Sequence, residues 1–248
     1  MLSKTFEEFW QVFLQVTFHE ENPEKWTRRE EKARWIEACM KLSEGASIAD
    51  LGCGDGILDI CLSRRGFKVF AVDRSQAIID HGRSEDDTKK VNFKVSELTE
   101  IKFPEMSLDG VIIHETIGLM SRRDDSNLLA KAFSWLKPGG RVLTDCPVSP
   151  SEKSDWSKPL RDGTVMAMTS FDSATRLHRL NFEFHPTSGA PFNLVDPQSN
   201  HHHHGPGISR VIYSQEELTT MMQEAGFVVH QVSHYYGDSY FGLIGEKC

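Results

Sequence analysis

Between residues 47 and 146 the chain repeats one pattern: a short apolar run rich in β-branched residues, then a longer amphipathic stretch. The apolar runs fall at residues 47–51, 68–72, 91–95, 110–113 and 141–144. Helix-period segments lie between most of them, at residues 57–65, 75–84 and 127–136. Strands alternating with helices at this spacing predict a parallel sheet covered on both faces. Right-handed crossovers then give a doubly wound α/β topology.

The flanking segments read differently. Phe6, Phe9, Trp10, Phe13 and Leu14 recur at three- and four-residue spacing and predict a helix. Asn22-Pro23 is a start signal for a second helix, with Trp26, Ala33, Ile36 and Met40 along one face. After residue 146, strands are predicted at 165–171, 177–184 and 207–214, with a long polar loop at 185–206. A helix at 215–225, stopped by Gly226, leads into two strands at 227–235 and 240–246, with a turn at Gly237-Asp238. The chain is expected to be one domain. It would consist of a helical lid (1–45), a ligand-binding half (46–146), a cap-strand insertion (147–214) and a C-terminal helix with hairpin (215–248).

Composition narrows the class. With 39% hydrophobic and 26% charged residues, 248 residues are enough for an ordinary globular core. The net charge of -8 is unsuited to non-specific nucleic-acid binding, which needs clustered Lys and Arg. Five scattered cysteines without a CxxC pair suggest buried thiols in a reducing compartment. No signal peptide and no apolar segment near 20 residues is seen, so the expectation is a cytoplasmic protein with no membrane partner.

The chemistry concentrates at Asp50-Leu51-Gly52-Cys53-Gly54-Asp55-Gly56, where a strand gives way to a helix. Glycines there let a backbone approach a ligand, with the amides of the next helix facing it. Asp73 ends the following strand, and its carboxylate can accept both hydroxyl hydrogens of a ribose diol. A dinucleotide site has similar parts. Here the third glycine comes one residue too early for G-x-G-x-x-G. Asp50 also stands where a pyrophosphate would want positive potential. A cationic, phosphate-free ligand suits the turn better.

On these residues the chain resembles a class I S-adenosylmethionine-dependent methyltransferase. Asp50-Leu51-Gly52-Cys53-Gly54 is similar to that family's first motif and Val72-Asp73-Arg74-Ser75 to its second. Ser96-Glu97-Leu98 sits where the family keeps an acid near the adenine amino group, although Asp is commoner there. Residues 103–109, Leu136-Lys137-Pro138-Gly139-Gly140 and the C-terminal helix with its hairpin also match. The resemblance implies a Rossmann-like seven-stranded sheet with an antiparallel last strand, an N-terminal helical lid and inserted antiparallel cap strands. It implies S-adenosylmethionine as cofactor, held by Asp50, Gly52, Cys53, Gly54, Asp73, Arg74, Ser96, Glu97, Leu98 and the backbone of His114. No Asn-Pro-Pro-Tyr-like segment follows the fourth strand, so a small-molecule acceptor is expected rather than nucleic acid.

Two catalytic candidates follow that strand. His114 either takes a proton from the acceptor or is a hydrogen-bonded histidine whose backbone meets the cofactor. Glu115 could hold a cationic amine. The run His201–His204 reads as a polar loop in preference to a metal site, since adjacent residues cannot all face one ion. A non-catalytic binding module, or a metal-dependent variant using that loop, is the alternative to a methyltransferase.

Overall fold

The structure, a computed structural model, describes residues 23–148, 153–160, 163–194, 208–235 and 237–248. The helix expected around residues 6–14, the Asn22 cap and the histidine run lie outside them. The chain divides into two compact units. One comprises Asn22–Ile117, Arg122–Val148 and Tyr213–Cys248. The other gathers Gly118–Ser121 and the described part of Ser149–Ile212.

The larger unit is built on seven strands: β1 (Ser47–Leu51), β2 (Lys68–Asp73), β3 (Asn92–Val95), β4 (Leu108–Ile113), β5 (Leu136–Pro147), β11 (Val228–Val232) and β12 (Tyr240–Glu246). Their spatial order is β11-β12-β5-β4-β1-β2-β3. The first five are parallel, and β12 runs antiparallel between β5 and β11. Helices α1 (Pro23–Met40), α2 (Ile57–Arg64), α3 (Gln76–Glu85), α4 (Arg122–Trp135) and α5 (Gln215–Glu224) belong to the same unit. Ile48, Ala49 and Leu51 of β1 and Val111, Ile112 and Ile113 of β4 are fully buried. That burial is why these strands read as near-continuous apolar runs rather than alternating ones.

The stripe expected on α1 is real. Ala33, Ile36 and Met40 are buried in the core with Ile48 and Val69, and Trp26 packs beside them half-buried. Burying one such isoleucine stabilises the fold by about 1.5–3 kcal/mol. The helix is thus anchored as a core element. Helix α5 closes its N-terminus with a reciprocal cap between Ser214 and Glu217, and Gly226 follows its end at φ +105°.

Helix α4 begins five residues before the expected position. Its first turn holds Asp124 and Asp125, acids that a helix N-terminus favours, and buried Asp125 accepts the Tyr213 hydroxyl hydrogen at 2.8 Å. The turn expected before β5 lies inside that strand, where pairing with β4 skips from Leu136 to Arg141. Lys137-Pro138-Gly139-Gly140 therefore bulges out of the ladder.

The smaller unit is an antiparallel sheet of five strands, where three were expected. It contains β6 (Lys153–Leu160), β7 (Gly163–Asp172), β8 (Leu177–Pro186), β9 (Phe192–Leu194) and β10 (Ile208–Val211), in the order β10-β8-β7-β6 with β9 on β8. Among the described residues strand β6 pairs with β7 alone, and its polar sequence with Pro159 is tolerated at an edge. Strand β9 is three residues inside the stretch expected to be one long loop, and pairing to Phe182–Phe184 of β8 defines it. Val165, Ala167 and Phe182 form its small core, with Leu180 and Phe184 packed against them. Among the described residues, no helix is long and apolar enough to cross a membrane.

Candidate active site

The cofactor residues expected from sequence all fall at the C-terminal edge of the parallel strands. Asp50 lies in β1 and Gly52, Cys53 and Gly54 in the turn after it. Asp73 ends β2 and Arg74 follows. Ser96, Glu97 and Leu98, all half-buried, follow β3, and His114 and Glu115 follow β4. Open parallel sheets bind ligands along this edge.

The glycine turn is backbone-only by necessity. Gly52, Gly54 and Gly56 have φ of +87°, +57° and +71°, the left-handed region that L side chains rarely adopt. A Cβ on Gly52 would come within 2.4 Å of the Thr116 Oγ1, so the turn approaches the loop after β4 closely. The amides of Gly52 and Cys53 both donate to the Val72 carbonyl, at 2.8 and 3.0 Å. Asp73 ties two loops together: its Oδ2 accepts from the Gly54 amide at 3.3 Å and its Oδ1 from the Ser75 amide at 3.0 Å. Each oxygen thereby keeps acceptor capacity for a further hydroxyl. Burial raises the Asp73 pKa against these two amides, and it pushes buried Asp50 up to about 7.

Helix α1 lays three cations on the same edge. Lys25, Arg29 and Lys32 stand at i, i+4 and i+7, one face of a helix. Lys25 and Arg29 lie 3.3 and 3.7 Å from Asp55 in the glycine turn. Lys32, only 1% exposed, reaches His114: Nζ is 2.7 Å from Nε2.

Around His114 is a buried cluster that sequence reading did not find. His114 Nδ1 and His234 Nε2 (2.8 Å) both bond the Asp145 Oδ2, and the Glu115 amide donates to Oδ1 at 2.7 Å. Burial opposes ionisation of Asp145, but the His114 and His234 donors and the Glu115 amide hold its pKa well below the ordinary carboxylate range. A carboxylate facing Nδ1 fixes the histidine tautomer. Nδ1 carries the hydrogen, and Nε2 presents its lone pair to the Lys32 ammonium. Glu115 adopts φ +55°, uncommon for a residue with a side chain. Its carboxylate accepts from the Tyr240 hydroxyl at 3.1 Å and approaches His114 Nε2 to 3.4 Å. The Glu115 side chain is 38% exposed against 7% for His114, so it forms the outer end of the cluster. Tyr240 and Trp35 pack on the His234 ring, with centroids at 5.1 and 5.3 Å.

His114, Asp145 and His234 have ligand-type atoms within 4.8 Å of one another, a spacing that would also suit an ion. The hydrogen-bond pattern favours a proton-bearing cluster. Both nitrogens of His114 and both oxygens of Asp145 are engaged, and a cationic Lys32 abuts the ring.

The donor set fits S-adenosylmethionine. The edge offers the carboxylate of Asp73 for ribose hydroxyls and that of Asp50 beside the turn, which a sulfonium or an ammonium complements and a pyrophosphate does not. Comparison with known proteins agrees. Residues 48–140 match a family model described as "Methyltransferase domain". The chain is 32% identical over 120 residues to phosphoethanolamine N-methyltransferase 1 of Zea mays, covering 47% of this chain and 24% of that protein. It therefore spans about a quarter of the length of that relative. A crystal structure of an S-adenosylmethionine-dependent methyltransferase from Clostridium acetobutylicum superposes with TM-score 0.70 at 13% identity, covering 98% of both chains. A SAM-bound amino pentose methyltransferase from Micromonospora echinaspora, CalS10, gives TM-score 0.66 at 15% identity over 90% of this chain and 92% of its own. At such identities these two structures speak for the fold. Together with the matched domain over residues 48–140, they give the chain the fold of the class I S-adenosylmethionine-dependent methyltransferases.

Proposed function

We propose that the chain transfers a methyl group from S-adenosylmethionine to a nitrogen, oxygen or sulfur of a small molecule, with an amine the best-suited acceptor. The observation that carries this reading is the ionised Asp145 fixing His114 beside Glu115, on the same strand edge as the glycine turn and Asp73. Buried titratable groups in mutual contact, in a cleft at a ligand-binding edge, are a signature of catalytic sites. The cofactor supplies a methyl group already activated on a sulfonium, so the acceptor's lone pair bonds to carbon while the carbon–sulfur pair stays on sulfur.

The chain's own residues would bind, orient and manage the proton. Asp73 would hold the ribose hydroxyls, Glu97 the adenine side, and Asp50 the cationic end, with Arg74, Ser96 and Leu98 lining the strand ends between them. Glu115 would pair with an ammonium acceptor before its proton is lost. The printed names of the relatives, phosphoethanolamine and amino pentose methyltransferases, support a small amine. The net charge of -8 supports it against nucleic acid.

Asp73→Ala is expected to weaken S-adenosylmethionine binding by about 1.5–3 kcal/mol, the worth of a hydrogen bond to a charged group. That is roughly 10–150-fold in Kd. Asp73→Asn is expected to be milder, because one acceptor oxygen survives. Calorimetry on the folded variants checks both, and a screen of amines with isotopically labelled methyl donor tests the activity. Unchanged affinity in Asp73→Ala would remove this residue from the site. Cofactor binding without transfer to any acceptor class would favour a binding module.

A further inference from the structure

Two carboxyl groups beside the glycine turn lack the donors that buried carboxylates need. Asp59, the third residue of α2, is fully buried, and neither of its side-chain oxygens has a hydrogen-bond partner on another residue. Asp50 on β1 is 3% exposed, and among the described residues no donor reaches its carboxylate. Their neighbours are better served. Asp55 Oδ1 accepts the Ile57 amide at 3.2 Å, and its Oδ2 stands in ion-pair range of Lys25 and Arg29. Asp73 has the Gly54 and Ser75 amides. An ionised carboxylate buried without donors or a close counter-ion is far costlier than a neutral acid, so such groups hold their protons.

We propose that this carboxyl pair couples cofactor binding to a proton: Asp50 and Asp59 bind protons in the free protein, and the S-adenosylmethionine cation expels the one on Asp50 while Asp59 keeps its own. The proposal rests on the methyl-donor reading of this strand edge. The O–H bond of Asp50 breaks, its electron pair stays on oxygen, and the proton leaves to solvent. The carboxylate so formed pairs with the positive charge of the cofactor. Asp59 permits this by remaining uncharged. Neighbouring like charges oppose each other's ionisation, so an ionised Asp59 would hold the proton on Asp50. Cofactor affinity thereby depends on pH, and it is highest where Asp50 has already lost its proton.

The groups around the pair favour this arrangement. Helix α1 brings Arg29 and Lys32 toward Asp50, and Arg29 also toward Asp59. The turn brings Asp55 and the Cys53 thiol, β2 brings Asp73, and β5 brings Asp145. Strand β4 sets apolar Ile112 beside Asp50 in register. Burial pushes Asp50 up to about 7, with Asp73 and Asp145 adding to the rise and Lys32 and Arg29 opposing it. Burial also drives Asp59 well above the ordinary carboxylate range, helped by Asp50 and Asp55 and opposed by its own amide and by Arg29. The cations of α1 are shared with other partners: Arg29 stands 3.7 Å from Asp55, and Lys32 Nζ 2.7 Å from His114 Nε2. A cationic ligand therefore adds positive charge where the acids are short of it.

Calorimetry tests this without any methyl transfer. S-adenosylmethionine is titrated into the protein at pH 7 in two buffers with different heats of ionisation, and the difference in observed heat counts the protons released. About half a proton per bound cofactor is expected, because a group titrating near 7 is half protonated there. Affinity is expected to be about tenfold weaker at pH 6 than at pH 8. Asp50→Asn is expected to lose most of the proton release; if it binds too weakly to titrate, the wild-type pH dependence decides. Asp59 is read through stability. Its folded pKa is raised, so its contribution is full below the unfolded value of about 3.9 and is lost as pH rises toward the folded value. Wild type is therefore expected to lose stability relative to Asp59→Asn between about pH 5 and pH 8. Asp59→Ala serves if the asparagine variant does not fold. Equal heats in both buffers with cofactor bound, and affinity flat from pH 6 to pH 8, would overturn the proposal. So would undiminished proton release by Asp50→Asn, or parallel stability curves for wild type and the Asp59 variant. Failure of wild type to bind S-adenosylmethionine at any of these pH values would instead sink the methyl-donor reading.

Discussion

Replacing Asp145 with asparagine is expected to lower turnover by about 10²–10⁴-fold, because the amide reverses the donor pattern that fixes His114. The carboxylate accepts three hydrogens, from His114 Nδ1, His234 Nε2 and the Glu115 amide. An asparagine offers one oxygen and one donor group, so either the two rings or the backbone amide must face an N–H. If His114 moves its hydrogen to Nε2, that hydrogen confronts the Lys32 ammonium. Stability is expected to fall as well, by about 3–5 kcal/mol, the loss typical when one partner of a buried charged network is removed. The sign of the pH dependence follows. The folded carboxyl lies well below its unfolded value of about 3.9. Its stabilisation is complete above that value and is lost as pH falls beneath it. Steady-state kinetics and acid unfolding of wild type and Asp145→Asn check both effects. A variant with near-normal turnover and wild-type acid stability would show that Asp145 neither orients His114 nor supports the fold.

His114→Gln is expected to lower kcat by about 10²–10⁴-fold with little change in cofactor affinity. Glutamine can keep a hydrogen bond to Asp145 or to Lys32, but it cannot take up a proton near neutral pH. The residues proposed to hold the cofactor lie at or just after the ends of β1, β2 and β3, and the hydrogen bonds of Asp73 and Ser96 do not involve the His114 side chain. Single-turnover rates and calorimetry separate the two quantities. A loss of less than about tenfold would leave proximity and orientation as the source of rate, and Glu115 would be the next residue to replace.

The parallel half was legible because its signals are local. Strands buried on both faces read as near-continuous apolar runs, and 47–51 matches β1 residue for residue. The glycine turn and Asp73 were legible for the same reason, since 19 residues and one crossover separate Gly54 from the carboxylate it touches. Strands β6 and β9 were not, because an edge strand with a proline and a three-residue strand owe their form to their partners. The proton cluster was hidden by distance along the chain. Lys32 and His114 are 82 residues apart, His114 and Asp145 31, and Asp145 and His234 89. No spacing rule joins such positions. Two faint signals existed nonetheless. Lys32 interrupts the apolar face that Ala33 and Ile36 bury, and Asp145 ends the apolar run of β5 at the edge where ligands bind.

What the glycine turn binds decides the chemistry of this strand edge. A calorimetric titration of the free protein with S-adenosylmethionine, run beside one with a nicotinamide dinucleotide, tests this most directly. Saturable one-to-one binding of S-adenosylmethionine is expected, with no detectable heat from the dinucleotide, whose pyrophosphate would meet Asp50. Binding of the dinucleotide, or of neither ligand, would contradict the assignment of this strand edge as a methyl-donor site.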